Sequence, residues 1–240
     1  MVIMDGVYNT QEELDAHISI DSEGNSIPVT KTVGGDNIQI GDPKYRDLNA
    51  DGKIDHKDKT IITKAQPDYF GGFWNNFKYK GLELGVFIRF KYNFDVVNGN
   101  KLKHTYNVRG GANNQLAYNL DAWSPANPDS EHPRFGMDTE TGPTAGLPLS
   151  SYHIEDGSFI RLQSINLKYS FSSGVMKKID FLNSLQLYVN VSNVYVWTKY
   201  TGSDPETSVS RGQLSNLGPN LDWGAYPNPR IFTFGLRASF

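Results

Sequence analysis

A stretch rich in oxygen-bearing side chains, DLNADGKIDHKD, occupies residues 47–58. An EF-hand-type loop needs side-chain oxygens at its first, third and fifth positions and a backbone carbonyl at its seventh. It also needs a ligand or water at the ninth, a carboxylate at the twelfth, and glycine at the sixth for the sharp turn. Gly52 stands at the turn position. The ligand positions are held by Asp47, Asn49, Asp51, Lys53, Asp55 and Asp58.

These carboxylates would repel one another if they were gathered, and a hard divalent cation would relieve that repulsion. An all-oxygen set with flexible geometry suits Ca²⁺, whereas Mg²⁺ demands a stricter octahedron. The loop departs from the pattern at Asp58, where the shorter Asp replaces Glu. We therefore expect a structural Ca²⁺ of modest affinity. The alternative is an Asp- and Asn-rich surface turn that binds nothing tightly.

Catalytic chemistry has little support in the sequence. The five histidines are scattered, with no HExxH pair, no GxSxG nucleophile elbow and no Walker loop. Arg109, Arg134 and Arg161 are interpreted as surface or strand-end charges. The sequence therefore predicts that the chain is not an enzyme and has no catalytic or cofactor-binding residues.

Composition removes several other classes of function. The net charge of −3 provides no basic field for nucleic acid. No apolar run approaches the ~18 residues of a membrane helix, and there is no cysteine for a disulfide. The N-terminus lacks the basic start and apolar stretch of a signal peptide. A location outside the inner membrane would therefore require this chain to be the tail of a longer one.

Long alternating runs of apolar and polar residues, rich in aromatic side chains, predict an all-β fold. In the run from Ser158 to Phe171 the alternation changes phase, which predicts a β-bulge near Gln163 and Ser164. A short helix is predicted within residues 112–123. The five predicted strands cover residues 68–79, 82–94, 158–171, 184–198 and 230–240.

The length of these strands favours a membrane barrel. They are longer than the ~5 to 6 residues usual in globular sheets and reach the ~9 to 11 residues that cross an outer membrane. Short and long links alternate between them, as happens when one end of a barrel has tight turns and the other has long loops. A long-stranded β-sandwich remains the alternative, since its strands also alternate.

Four segments resemble the C-terminal part of the SusC/RagA family of TonB-dependent outer-membrane transporters. The resemblance extends from about Asp5 to Phe240. It implies an antiparallel transmembrane β-barrel segment of about five long strands with long extracellular loops. The segments are GDPKYRDLNADGKIDHKDKTII (41–62), EDGSFIRLQSINLKYSF (155–171), LQLYVNVSNVYVWTKYTGSDPE (185–206) and GAYPNPRIFTFGLRASF (224–240).

This resemblance assigns residues 1–67 to an extracellular region that carries the calcium-type loop. Residues 68–240 become the last barrel strands, in the outer membrane of a Gram-negative bacterium. The family's signal peptide, plug domain and TonB-contacting segment would lie upstream. The isolated chain is therefore expected to form an open sheet with exposed edges.

The implied function is import of oligosaccharides, as in glycan uptake, or of peptides. The implied partners are a SusD-like surface lipoprotein, TonB through the missing N-terminal part, and outer-membrane lipid, but no nucleic acid. Two alternatives stay open: a secreted, calcium-stabilised, carbohydrate-binding β-sandwich module, and a surface glycosidase. Several charged and aromatic residues could touch a substrate, but an aromatic girdle and loop packing explain them better, and none is assigned: Glu83, Arg89, Lys91, Trp123, Tyr152, Trp223 and Tyr226.

Overall fold

A computed structural model describes residues 1–29, 32–33, 36–101, 114, 116–134, 149–176, 179, 181–206 and 220–240. The chain forms two compact units that interleave along the sequence. The first unit contains Met1–Thr63, Val97–Glu155 and Leu221–Gly224. The second unit contains Lys64–Val96, Asp156–Asn220 and Ala225–Phe240.

The secondary structure is dominated by strands. The described residues include two short α-helices, α1 (Gln11–Asp15) and α2 (Ser173–Met176), and three 3₁₀ turns, His56–Asp58, Ala117–Asp121 and Ser151–His153. The strands are β1 (Met4–Val7), β2 (Ile18–Ile20), β3 (Ser26–Pro28), β4 (Thr32–Val33), β5 (Asp36–Asn37), β6 (Pro43–Tyr45), β7 (Tyr69–Tyr79), β8 (Leu82–Tyr92), β9 (Asp95–Asn98), β10 (Ile154–Asp156), β11 (Phe159–Ser170), β12 (Ser184–Thr198), β13 (Leu221–Asp222) and β14 (Ile231–Ser239).

The second unit is built on one five-stranded antiparallel sheet with the order β14-β12-β11-β8-β7. These are the five predicted strands, and each begins and ends within two residues of its predicted bounds. β7 and β8 are joined by a tight turn in which Lys80 and Gly81 both have positive φ, 45° and 83°. Two positive φ values match the primed turns that suit the twist of a hairpin.

The predicted β-bulge is confirmed. Leu162 and Ser164 of β11 lie opposite Ile88 and Phe87, which are consecutive residues of β8, so Gln163 is an extra residue. The extra residue changes the phase of β11. Ile160 and Leu162 before it and Ile165 and Leu167 after it therefore lie on the same face of the sheet.

The register divides the sheet into an apolar face and a polar face. The apolar face carries Tyr69, Phe73, Phe77 and Tyr79 of β7, the even-numbered residues of β8, Ile160, Leu162, Ile165, Leu167 and Tyr169 of β11, the odd-numbered residues of β12 from Leu185 to Val191 with Tyr195 and Trp197, and the even-numbered residues of β14. The polar face carries Glu83, Arg89 and Lys91 of β8 and Arg161 of β11.

The apolar face is largely uncovered in the described chain. Phe77 is 61% exposed, Phe234 73% and Trp197 52%. A β-sandwich would bury such a face against a second sheet. This exposure excludes the sandwich alternative for the sheet.

The first unit has its own small core around short elements. Its buried members are Val2, Tyr8, Leu14, Val29, Ile38, Tyr45 and Ile54. Leu14 comes from α1, which begins after Thr10, whose Oγ1 accepts a hydrogen bond from the Glu13 N–H at 3.1 Å. β1 pairs with β6 and β2 with β3, so the backbone groups of these segments are satisfied in two small antiparallel ladders.

Two expectations are corrected. Arg161 and Arg134 are not surface charges: Arg161 is 3% exposed and paired with Asp204, and Arg134 is paired with the buried Asp42. Arg109 lies outside the described residues. The helix expected within 112–123 is a 3₁₀ turn at Ala117–Asp121, and residues 112, 113 and 115 lie outside the described part of the chain. No helix in the described residues is long and apolar enough to cross a membrane.

Candidate functional site

The predicted metal loop is fixed in the first unit by two of its own residues. Ile54 is 7% exposed and belongs to the core of that unit. Gly52 has φ of 75°, and a Cβ at this position would lie 2.8 Å from Ile27 Cγ2. Glycine is therefore required here for two reasons: the backbone has a positive φ, and β3 approaches too closely to leave room for a Cβ.

The loop carboxylates accept hydrogen bonds from backbone N–H groups of the loop itself. Asp47 accepts from Ala50 at 2.8 Å and from Gly52 at 2.7 Å. Asp51 accepts from Lys53 at 3.0 Å, and Asp55 accepts from Lys57 at 2.7 Å. These contacts wind the loop in the manner of consecutive Asx turns.

The last predicted ligand closes the loop. Asp58 is fully buried; its Oδ1 accepts from the Leu48 N–H at 2.8 Å and its Oδ2 from the Asp55 N–H at 2.7 Å. The third ligand position, Asn49, donates its side-chain amide to Asp51 at 2.9 Å. A hydrogen bond from Asn49 and the nearby Lys57 hold the pKa of Asp51 below its ordinary value.

The donor chemistry of this loop fits a hard cation, but its carboxylates are engaged with loop amides. In the described residues, no three or more His, Asp or Glu side chains gather in a way that could hold a metal ion. Calcium binding at Asp47, Asn49, Asp51, Lys53, Asp55 and Asp58 therefore stays a prediction.

A second polar cluster lies on the polar face of the sheet. Arg89 of β8 and Arg161 of β11 are directly opposite each other in the register, and Lys91 follows two residues along β8. Like charges placed opposite each other across two strands destabilise a sheet unless an anion lies between them. The cluster therefore requires a negative partner.

That partner is Glu206. Arg89 Nη1 donates to Glu206 Oε1 at 2.9 Å and its Nη2 donates to Oε2. Arg161 Nε lies 3.2 Å from Glu206 Oε2, and Lys91 Nζ lies 3.3 Å from Oε1. One carboxylate is thus shared by three cations.

Asp204 makes a second attachment beside it. Its Oδ1 accepts from Arg161 Nη2 and, at 3.0 Å, from the Glu206 N–H, while its Oδ2 accepts from Asn228 at 3.0 Å. Burial raises the pKa of Asp204, but these hydrogen bonds outweigh it, and the resulting pKa lies below the ordinary value. Asp204 is therefore held as a carboxylate.

Residues Tyr200–Glu206, called the strap below, are anchored at both ends against the polar face. Tyr200 is 5% exposed and packs with Phe94, Val96 and Phe159 in the small core of the second unit. Glu206 makes the charged attachment at the other end. The strap belongs to the long link that follows β12.

The bulge residue extends this network. Gln163 accepts from Arg89 Nε at 2.8 Å and donates to Asn193 Oδ1 at 2.9 Å. Asn193, which has φ of 53°, donates in turn to the Pro229 carbonyl at 2.9 Å. The irregularity thus orients the guanidinium that binds Glu206.

The strap was missed by sequence reasoning, although its residues lie in a segment that carried the resemblance. Its signal is the pair of acidic residues in TGSDPE, close to the end of a strand whose neighbours carry arginines. A separate charged group, in which Glu83 pairs with Lys78 at 3.2 Å and Lys168 at 2.7 Å, lies further along the polar face.

The loop aromatics considered as substrate contacts mostly pack within the first unit. A Cβ on Gly41 would lie 2.4 Å from the Trp123 ring, and one on Gly99 would lie 2.3 Å from the Trp223 ring. Tyr152 OH lies 2.6 Å from His132 Nδ1. Tyr226, in the second unit, is 86% exposed.

Two histidines near Tyr152 have lowered pKa values. His153 is 1% exposed, and burial together with the nearby Lys101 lowers its pKa to about 4. Burial and Lys101 also lower the pKa of His132. Both side chains are therefore neutral at neutral pH.

The sequence is similar to those of known TonB-dependent receptors. No family model matches the chain. A TonB-dependent receptor of Formosa agariphila, P26, is 32% identical over 236 residues, which cover 98% of this chain and 22% of the receptor. The TonB-dependent receptor SusC of Bacteroides thetaiotaomicron is 27% identical over 218 residues, which cover 90% of this chain and 19% of that receptor.

The solved structures give the same fold. The RagAB peptide transporter matches the whole chain with a TM-score of 0.69 at 19% identity, and the match covers 22% of that transporter chain. The chain thus spans about a fifth of the length of the relatives it matches. With its two-faced antiparallel sheet and its similarity over nearly the full sequence, this chain matches one segment of the TonB-dependent receptors, SusC among them, and it shares the fold of the RagAB transporter.

Proposed function

We propose that the protein containing this chain imports oligosaccharides or peptides across the outer membrane of a Gram-negative bacterium. In this proposal it works with a SusD-like surface lipoprotein and takes its energy through TonB. The described chain contributes five strands of the barrel wall. It also contributes the first unit, which lies outside the cell in this proposal.

The observation that carries this proposal is the sheet with two unlike faces. Its apolar face is exposed along strands of 9 to 15 residues, and its polar face holds charges and amides. A strand that crosses an outer membrane needs hydrocarbon on one side and water on the other. Aromatic rings near both ends of the apolar face, such as Trp197 and Tyr169, suit the two interfaces.

The names of similar proteins give weaker support for a lipoprotein partner and for peptide or oligosaccharide substrates than for the barrel itself. Relatives are named TonB-dependent receptors, and the RagAB neighbour is described as a peptide transporter. A peptide and an oligosaccharide would both be compatible with the charged and aromatic groups of this chain. The choice between them is left to measurement.

Uptake of labelled ligands tests the import proposal. The complete protein is expressed in an outer membrane, and entry of fluorescent peptides and oligosaccharides is followed with active and inactive TonB. We expect TonB-dependent uptake of one ligand class and co-purification of a surface lipoprotein. A protein that partitions into the soluble fraction and shows no TonB-dependent uptake of either class would contradict the proposal.

We also propose that the loop at residues 47–58 binds a structural Ca²⁺. Support comes from the all-oxygen donor set and from Gly52 at the turn. It comes also from Asp47, which accepts two loop N–H groups as a first loop ligand can. The ion would stiffen a segment that already packs on the core through Ile54.

A further inference from the structure

Arg89, Arg161 and Lys91 create a cation-lined site on the polar face, and a carboxylate of the same chain fills it. Arg89 binds Glu206 with both terminal nitrogens, while Arg161 and Lys91 lie 3.2 and 3.3 Å from its oxygens. A forked guanidinium supported by further cations is a common way to recognise a carboxylate or a sulfate group.

The site is open to solvent on the β8 side. The side chains of Arg89 and Lys91 are 32% and 38% exposed, whereas that of Arg161 is 4% exposed. An anion from solution can therefore approach two of the cations while Glu206 is in place. Arg161 keeps its buried attachment to Asp204 throughout.

The cluster also carries more positive than negative charge. Arg89, Arg161 and Lys91 are balanced by Glu206 and Asp204. Removal of Glu206 would leave three cations facing one carboxylate. Two of them, the cross-strand arginines, would repel each other.

We propose that Glu206 is an internal ligand of an anion-binding site, and that a carboxylate or sulfate group of a bound molecule can replace it. Replacement frees the Glu206 end of the strap, while Tyr200 and Asp204 stay anchored in their buried positions. The site thereby couples binding of an acidic ligand to the position of Glu206 in the strap. This inference does not depend on import, because binding to the purified protein reports it.

Calorimetric titration of the complete protein with sodium sulfate, against sodium chloride at the same ionic strength, tests the site. We expect Glu206→Gln to bind sulfate at least about tenfold more tightly than the unmodified protein, because a tethered carboxylate competes at an effective concentration of millimolar order. Adding Arg89→Gln to that variant should abolish the gain. Glu206→Asp keeps the charge but shortens the side chain, so its sulfate affinity should lie between those of the unmodified protein and Glu206→Gln.

Glu83→Gln is the matched control. It removes one negative charge from the same face, between Lys78 and Lys168, without touching the strap. Its sulfate affinity should equal that of the unmodified protein. A gain in Glu83→Gln as large as in Glu206→Gln, or no gain in Glu206→Gln, would overturn the proposal.

Hydrogen exchange of residues 200–206 tests the displacement. Sulfate should raise exchange of the Glu206 amide, which donates to Asp204 in this structure, and chloride at equal ionic strength should not. Equal effects of the two salts would mean simple screening and would contradict replacement. Competition of sulfate with an acidic peptide and, separately, a sulfated oligosaccharide then distinguishes the source of the anion.

Discussion

Arg89 and Arg161 are direct cross-strand neighbours, and their guanidinium groups are held together by a carboxylate that is distant in sequence. Arg161 is the more buried of the two, and Asp204 is its second partner. The stability of this part of the sheet therefore depends on a segment outside the strands.

Asp204→Asn is expected to be the most damaging charge removal in this network. It leaves the buried Arg161 with one anionic partner instead of two, and the loss of a charged partner from a buried pair costs about 3 kcal/mol. The measurement is the free energy of urea-induced unfolding of the complete protein in lipid vesicles. Glu83→Gln, whose partners are more exposed, should cost less than about 1 kcal/mol. Equal costs for both would contradict the burial argument.

The pH dependence of the first unit should follow His153. Its pKa is lowered from 6.5 to about 4 in the folded chain, so the unfolded state binds the proton more readily between these values. Stability is therefore full above pH 6.5, falls as the pH drops toward 4, and levels off below it. The loss amounts to at most about 3 kcal/mol.

Proteolysis of the intact protein across this pH range, followed within residues 1–63, measures the effect. His153→Asn should flatten the curve, since Asn takes up no proton. His56→Asn is the matched control, because it makes the same substitution at a histidine whose side chain is 78% exposed. A curve that His153→Asn leaves unchanged would show that other groups control the acid response.

Calcium should protect the loop at residues 47–58 from proteolysis. Asp51→Asn should weaken Ca²⁺ binding at least about tenfold, because the affinity of such loops depends on the charge of their ligands. Asp51 is preferred to the buried Asp58, whose loss would also unwind the loop.

Asp21→Asn is the matched control for calcium. Asp21 accepts N–H groups from Glu23 and Asn25 in a similar turn, but it lies outside the predicted loop. Titration with Ca²⁺ and Mg²⁺, followed by protease protection, should separate the two variants. Protection that is absent, or identical in both variants, would leave the loop as a plain surface turn.

The sidedness of the chain can be measured with single cysteines, because these 240 residues contain none. A cysteine at Lys57, in the loop, should react with a membrane-impermeant maleimide on intact cells. A cysteine at Lys80, in the tight turn between β7 and β8, should react only after the outer membrane is opened. The reverse result would place the loop on the periplasmic side.

The strands and the orientation of their faces could be predicted from local pattern. Each of the five long runs keeps one apolar face, and the phase change at Gln163 located the bulge. Alternation determines the register of these strands, because a slip of one residue would exchange the apolar and polar faces.

The contacts of the strap could not be predicted in this way. Glu206 lies 117 residues from Arg89, and Asp204 lies 43 residues from Arg161. These pairs form only because the register places both arginines side by side. Sequence reasoning therefore treated Arg161 as a surface or strand-end charge and missed its buried pairing with Asp204. Most of the core of the first unit was also not predictable, because residues such as Val2, Tyr8 and Val29 come from short segments without periodicity.

The two edges of the sheet, β7 and β14, run in the same direction, because four successive antiparallel pairings separate them. They cannot close on each other as antiparallel neighbours. Any ring in which every neighbouring pair is antiparallel must therefore insert an odd number of further strands between them. Parity alone then makes the complete circle even-numbered, and adding or losing a single strand elsewhere in the protein would force one mismatched, parallel seam.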